Sequence, residues 1–161
     1  HKYEMLRLEK ISFGYLYAKS LIDQAKSDVQ LLEQNCLFAV KILNTIRRLL
    51  YENEVTPFDL SSPMISQGRI NFDLCAVEII LASYYSEIGL FLSAAKTYES
   101  VTTLALSLVG VDESDVADHL YLKIASVSCR HSFEYYSILN NKLKMNELNE
   151  KFERIQTLSN Q

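Results

Sequence analysis

The chain has 161 residues, 48% of them hydrophobic, which is enough to bury a core and excludes a mainly disordered state. Sixteen basic against twenty acidic residues leave a net charge of -4. The excess of acid lies after residue 55, which argues against nonspecific binding to nucleic acid or an anionic membrane surface, since both need clustered Lys and Arg. The three cysteines, Cys36, Cys75 and Cys129, are dispersed among apolar neighbours and read as reduced core thiols rather than a disulfide framework. No apolar run approaches the roughly 20 residues that span a bilayer, and no signal peptide is recognisable, so the expected setting is intracellular, cytoplasmic or nuclear, without membrane insertion. The first residues are His1-Lys2-Tyr3, which suggests a fragment of a longer chain.

Only four glycines and two prolines occur, and both prolines fall in VTPFDLSSP, Val55 to Pro63. Elsewhere the chain is permissive for helix. Ile11, Tyr15, Ala18, Ile22, Ala25 and Val29 recur at helical spacing, as do Cys36, Ala39, Val40, Leu43, Ile46 and Leu50, which predicts a first helical hairpin. Its second helix also carries Leu37, Phe38, Ile42 and Leu49, apolar residues outside that stripe. After the proline-bearing loop, Ser62-Pro63 offers a cap and a first helical residue, and Ile70, Leu74, Val77, Leu81, Tyr85 and Ile88 run up to Gly89, where the chain can reverse. A fourth helix carries Ala94, Ala95, Tyr98, Val101, Ala105 and Leu108. GVDESD, Gly110 to Asp115, breaks that pattern, with Asp112 or Ser114 as caps for a fifth helix marked by Val116, Leu120, Ile124, Val127, His131 and Tyr135. Leu143, Leu148, Phe152 and Ile155 mark a sixth. The expected fold is all-α, with antiparallel hairpins at about 3–52, 63–109 and 113–158. Helices apolar on more than one side call for stacked hairpins, as in a solenoid, or for a closed bundle.

In LASYYSEIGLFLSAAKTY, Leu81 to Tyr98, small and aromatic residues are spaced as a close-packed helix-turn-helix requires: Ala82 and Ala94 let two helices approach, Tyr85 and Tyr98 fill the space beside them, and Gly89 tolerates positive φ at the turn. This segment, about 75–108, resembles a tetratricopeptide repeat, with Val101 where the family usually has alanine, Glu78 where it usually has a large apolar residue, and no proline at Leu106. The resemblance implies a short superhelix of hairpins. It further implies a concave face formed by the repeat's first helix, on which Ala76, Ile79, Ser83, Ser86 and Glu87 would contact a protein or peptide. The Lys and Asn clamp by which some family members hold a C-terminal carboxylate has no counterpart at these positions. The fitting partner is therefore a helix or extended segment with apolar anchors and some basic character.

Enzyme chemistry finds little support. Cys129 and His131 are two apart and so point about 200° apart on a helix, which does not make a nucleophile and base. Asp112, Asp115, Asp118 and His119 lack a second His and the spacing of a calcium loop. The glycines form no phosphate loop. The expectation is a non-catalytic interaction scaffold or adaptor without metal or cofactor, serving as a subunit or segment of a multiprotein complex. A compact helical-bundle adaptor for regulation or trafficking is the alternative, ahead of an enzyme.

Overall fold

The computed structural model describes residues 2–52, 66–111 and 114–161. Among them the fold is all-α, with six helices and no strand: α1 Lys2–Ser27, α2 Val29–Glu52, α3 Gln67–Glu87, α4 Phe91–Leu108, α5 Asp115–Ile138 and α6 Lys142–Ser159. The chain divides into two compact units, His1–Val77 and Glu78–Gln161, with the division inside α3. The proline-bearing loop and the cap at Ser62-Pro63 lie outside the described residues.

Each described turn has a local chemical cause. Asp28 alone separates α1 from α2, and its Oδ1 accepts the Gln30 N–H at 3.0 Å, supplying an orphan donor of the new helix with a partner. Ser66 does the same for α3, accepting from the Arg69 N–H at 3.1 Å. At the end of α3, Gly89 stands at φ 81, the Leu90 N–H returns to the Tyr85 carbonyl at 2.9 Å, and the Gly89 N–H to Ser86 at 3.2 Å. That pair of bonds around a left-handed residue closes the helix and turns the chain directly into α4. The same arrangement recurs between α5 and α6, where Asn140 takes φ 56 and the Asn141 N–H returns to the Tyr136 carbonyl at 2.9 Å. Asn141 then caps α6 by accepting from the Lys144 N–H at 3.1 Å. A tyrosine occupies the same place before each turn. Of the two caps expected for α5, Ser114 fills the role, accepting from Ala117 at 3.3 Å, and Asp112 lies outside the described residues.

In the first unit, Ile11, Tyr15, Ala18, Ile22 and Ala25 of α1 are buried with Cys36, Ala39, Leu43, Ile46 and Leu50 of α2. Gly14 permits the close approach of these helices, since a Cβ there would stand 3.2 Å from Cδ1 of Ile46. Asn35 ties them further, donating to the Leu21 carbonyl at 3.1 Å. Val29 departs from the expected stripe: it opens α2 and is exposed, because the reversal at Asp28 ends the α1 face before it.

In the second unit, all six residues of the expected α4 stripe are buried. On α5 the structure overturns half of the expected face. Val116 is 81% exposed, Leu120 41% and Val127 44%, whereas the buried face consists of Tyr121, Leu122, Ala125, Ser128, Cys129, Ser132 and Tyr136. The physical reason is close packing. Small side chains let α5 settle against α4, and the fully buried Ser132 hydroxyl donates to the Ala95 carbonyl of α4 at 2.8 Å, so a polar residue is satisfied where apolarity would be expected. The α6 residues Leu148 and Ile155 close this core, with Phe152 packed beside them.

Candidate protein-binding surfaces

The apolar stripe of α5 has an outward edge, while Ile124 and Tyr135 on its inner side pack against the core. Val116, Leu120 and Val127 are exposed on that edge, and Ile124, His131 and Tyr135 are half-buried. Its distal end joins a ladder of four rings. Phe91, at the first position of α4, stacks on Tyr135 at 5.7 Å with planes 12° apart; Tyr135 stacks on Tyr98 at 6.0 Å and 8°; Tyr98 stacks on His131 at 4.9 Å and 27°. Spacing explains the assembly, since His131 and Tyr135 lie one helical turn apart on α5, and Phe91 and Tyr98 two turns apart on α4.

Acid flanks the ladder. The Glu134 carboxylate is 3.9 Å from Nδ1 of His131, and its side chain is largely exposed. Burial chiefly pushes the Tyr98 hydroxyl above its ordinary pKa, and the charges of Tyr135, Glu134 and Glu87 add to the shift. Among the described residues Glu87 makes no ion pair.

Behind this face lies a structural polar network. Tyr136, 1% exposed, donates its hydroxyl to Oε2 of Glu99 at 2.9 Å, and Lys144 donates to Oε1 of Glu99 at 2.8 Å while also pairing with Glu147 at 3.3 Å. Burial and then the Glu99 carboxylate push the Tyr136 hydroxyl up to about 12. Burial alone would raise the Glu99 carboxyl, but the bonds from Lys144 and Tyr136 outweigh it and hold the pKa below its usual value. The first unit has an analogue in Asp73, buried, which accepts the Tyr15 hydroxyl at 2.8 Å and lies 3.8 Å from Lys19 and 3.6 Å from Arg69. The networks satisfy a half-buried carboxylate, Glu99, and a buried one, Asp73, and bind helices together.

The residues expected on a concave face form one stripe of α3. Ala76, Ile79, Ser83 and Ser86 are half-buried and Glu87 is exposed; Ala76 falls in the first unit and the other four in the second. The Ser86 hydroxyl is engaged with the Ser83 carbonyl at 2.7 Å. Of the five, Glu87 adds to the electrostatic shift of a ladder ring, Tyr98. Glu78, unusual for the resembled repeat, accepts a hydrogen bond from Ser100 of α4 at 3.4 Å. The first unit shows a separate exposed patch, with Phe13 78% exposed and Tyr17 packed edge-on against Phe38 at 6.3 Å.

The candidate reactive groups have other roles. The buried Cys129 thiol, its pKa raised chiefly by burial, donates to the Leu148 carbonyl at 3.3 Å, while His131 belongs to the ladder. Asp118 accepts the Gly110 N–H at 2.7 Å and stabilises the turn before α5. Among the described residues, no three His, Cys, Asp or Glu side chains come together as a metal site, and no helix is long and apolar enough to cross a membrane.

The ladder escaped sequence reasoning, although the His131 and Tyr135 spacing beside the Tyr135-Tyr136 doublet was its signal. Comparison of the chain with known protein families, curated proteins and solved structures gives no match.

Proposed function

We propose that this chain is a protein-interaction scaffold or adaptor without chemistry of its own, whose tetratricopeptide-like hairpins present helix faces to a protein or peptide in a multiprotein complex. The observation that carries this reading is the orientation of α5, which leaves Val116, Leu120 and Val127 in solvent. A stripe of this kind from Val116 to Tyr135 runs roughly 28 Å at the rise of an α-helix, long enough to receive a partner helix of about five turns. Fully burying an apolar side chain contributes about 1.5–3 kcal/mol, so several half-exposed side chains hold back several kcal/mol for a partner. The repeated turn geometry at Gly89 and Asn140, each preceded by a tyrosine, supports the repeat-like part of the reading.

The test is affinity capture with the wild type, the double variant Val116→Asp, Val127→Asp, and the control Glu153→Lys on α6. Because the first two side chains are exposed, circular dichroism and thermal melting should be nearly unchanged. The reading requires a protein retained by wild type and control but lost from the double variant; identical captured sets for all three would refute it.

A further inference from the structure

We propose that the ring ladder at the end of the α5 stripe is a capture site for an arginine side chain of the partner, a deepening that rests on the scaffold reading above. Three observations converge. The four rings are nearly parallel, so His131, at one end with its side chain 42% exposed, can extend the stack by one more planar group. The Glu134 carboxylate lies 3.9 Å from Nδ1 of His131, at the end of the ladder, and the charge of Glu87, which makes no ion pair among the described residues, acts on the Tyr98 hydroxyl. The second unit holds the whole acidic excess of the chain, with eleven acidic and seven basic side chains in residues 78–161.

Arginine fits this chemistry better than lysine. A guanidinium is planar and lies flat on an aromatic face, while its edge donates to carboxylates in a fork; an ammonium is a point charge that holds its water more tightly. The ladder offers a face and the glutamates offer acceptors. Apolar residues on the same partner segment would then lie along Val127, Leu120 and Val116, which sets its direction along α5. An arginine at one end of an amphipathic helix satisfies both halves of the surface.

The chain has three histidines, so the His131 ring protons can be followed individually by NMR, with His119 on the same helix as an internal control. The probes are three short peptides, Gly-Ser-X-Ser-Gly, with X arginine, lysine or citrulline, titrated into the full chain above the ordinary imidazole pKa range. Citrulline keeps the planar shape and removes the charge. Expected are a saturable shift of the His131 ring protons with the arginine peptide and an unmoved His119. The lysine peptide should bind several-fold more weakly, and the citrulline peptide should produce no saturable shift. Glu87→Gln with Glu134→Gln should weaken the arginine peptide at least tenfold. Both changes are at exposed carboxylates, and an unchanged amide spectrum elsewhere establishes that the fold is kept. Equal responses to arginine and citrulline, equal shifts of His131 and His119, or undiminished binding by the double variant would overturn the proposal. None of those outcomes bears on the Val116 and Val127 capture experiment, so failure here leaves the scaffold reading standing, whereas failure of that experiment with arginine binding intact would leave a site without its stripe.

Discussion

Replacing Tyr136 by Phe removes one hydroxyl from the centre of the second unit and leaves the ring in place. In the wild type that hydroxyl donates to Glu99, which is simultaneously held by Lys144. A hydrogen bond to a charged group contributes about 1.5–3 kcal/mol net, and Glu99 keeps its lysine partner, so the expected loss at neutral pH is about 2 kcal/mol. The pH dependence gives a second, independent sign. The Tyr136 pKa, about 12 in the folded chain, exceeds the ordinary tyrosine value of 10.0, so its contribution is fully present below that lower value and is lost as pH rises towards the folded one. The gap between wild type and Tyr136→Phe should therefore narrow as pH rises through that window. Because the hydroxyl lies at a partly buried pair, where water screens it, the narrowing is about 1 kcal/mol. Urea unfolding of both proteins at neutral pH and about one unit above the ordinary tyrosine pKa measures both quantities, while the other tyrosines titrate alike in the two chains and cancel. A neutral-pH gap under about 0.5 kcal/mol, or one that stays constant with pH, would show that this hydroxyl does not donate to the Glu99 carboxylate.

The other expectations concern packing and backbone. Gly89→Ala puts a Cβ on a residue at φ 81 with open space around it, so the change should lower stability by about 1–2 kcal/mol through backbone strain alone, read from a denaturant midpoint. Ala94→Leu adds volume at a fully buried position and should lower stability by about 1–3 kcal/mol; a neutral melt would disprove tight packing there. Asn71 is fully buried with both amide atoms lacking hydrogen-bond partners among the described residues, so Asn71→Leu should raise stability by about 1–3 kcal/mol, and a loss would reveal a partner for the amide.

The fold class was legible because breakers are scarce and the apolar residues of α1, α2 and α4 fall at helical spacing. Six of the seven buried α4 residues were readable, since its small residues are mostly alanines and count as apolar; Thr102, fully buried with its hydroxyl donating to the Tyr98 carbonyl, was not. On α5 the same logic was right only in part: Ile124 and Tyr135 pack against the core, but Val116, Leu120 and Val127 do not. Ser128 and Ser132 are buried there because they are small, and the hydroxyl of Ser132 has a carbonyl to bond, while the valines and leucine that looked like core lie outward. Periodicity reports where apolar residues are, and close packing reports where small ones fit. The turn at Asn140 was hidden for a related reason: asparagine tolerates the left-handed region through its short polar side chain, so this turn carries no glycine to announce it. Glu87 was named through the tetratricopeptide resemblance, but the ring ladder was not, because its rings come from two helices that sequence spacing cannot bring together.

The most direct test of the scaffold account is a photo-crosslinking amino acid installed at Val127, with Glu153 on α6 as the control position, in the source cells. The account predicts a discrete crosslinked protein from position 127 that is absent from position 153 and lost when Val116→Asp is added. Crosslinking that is absent at Val127, or indistinguishable between the two positions, would contradict the claim that this outward face of α5 exists to hold a partner.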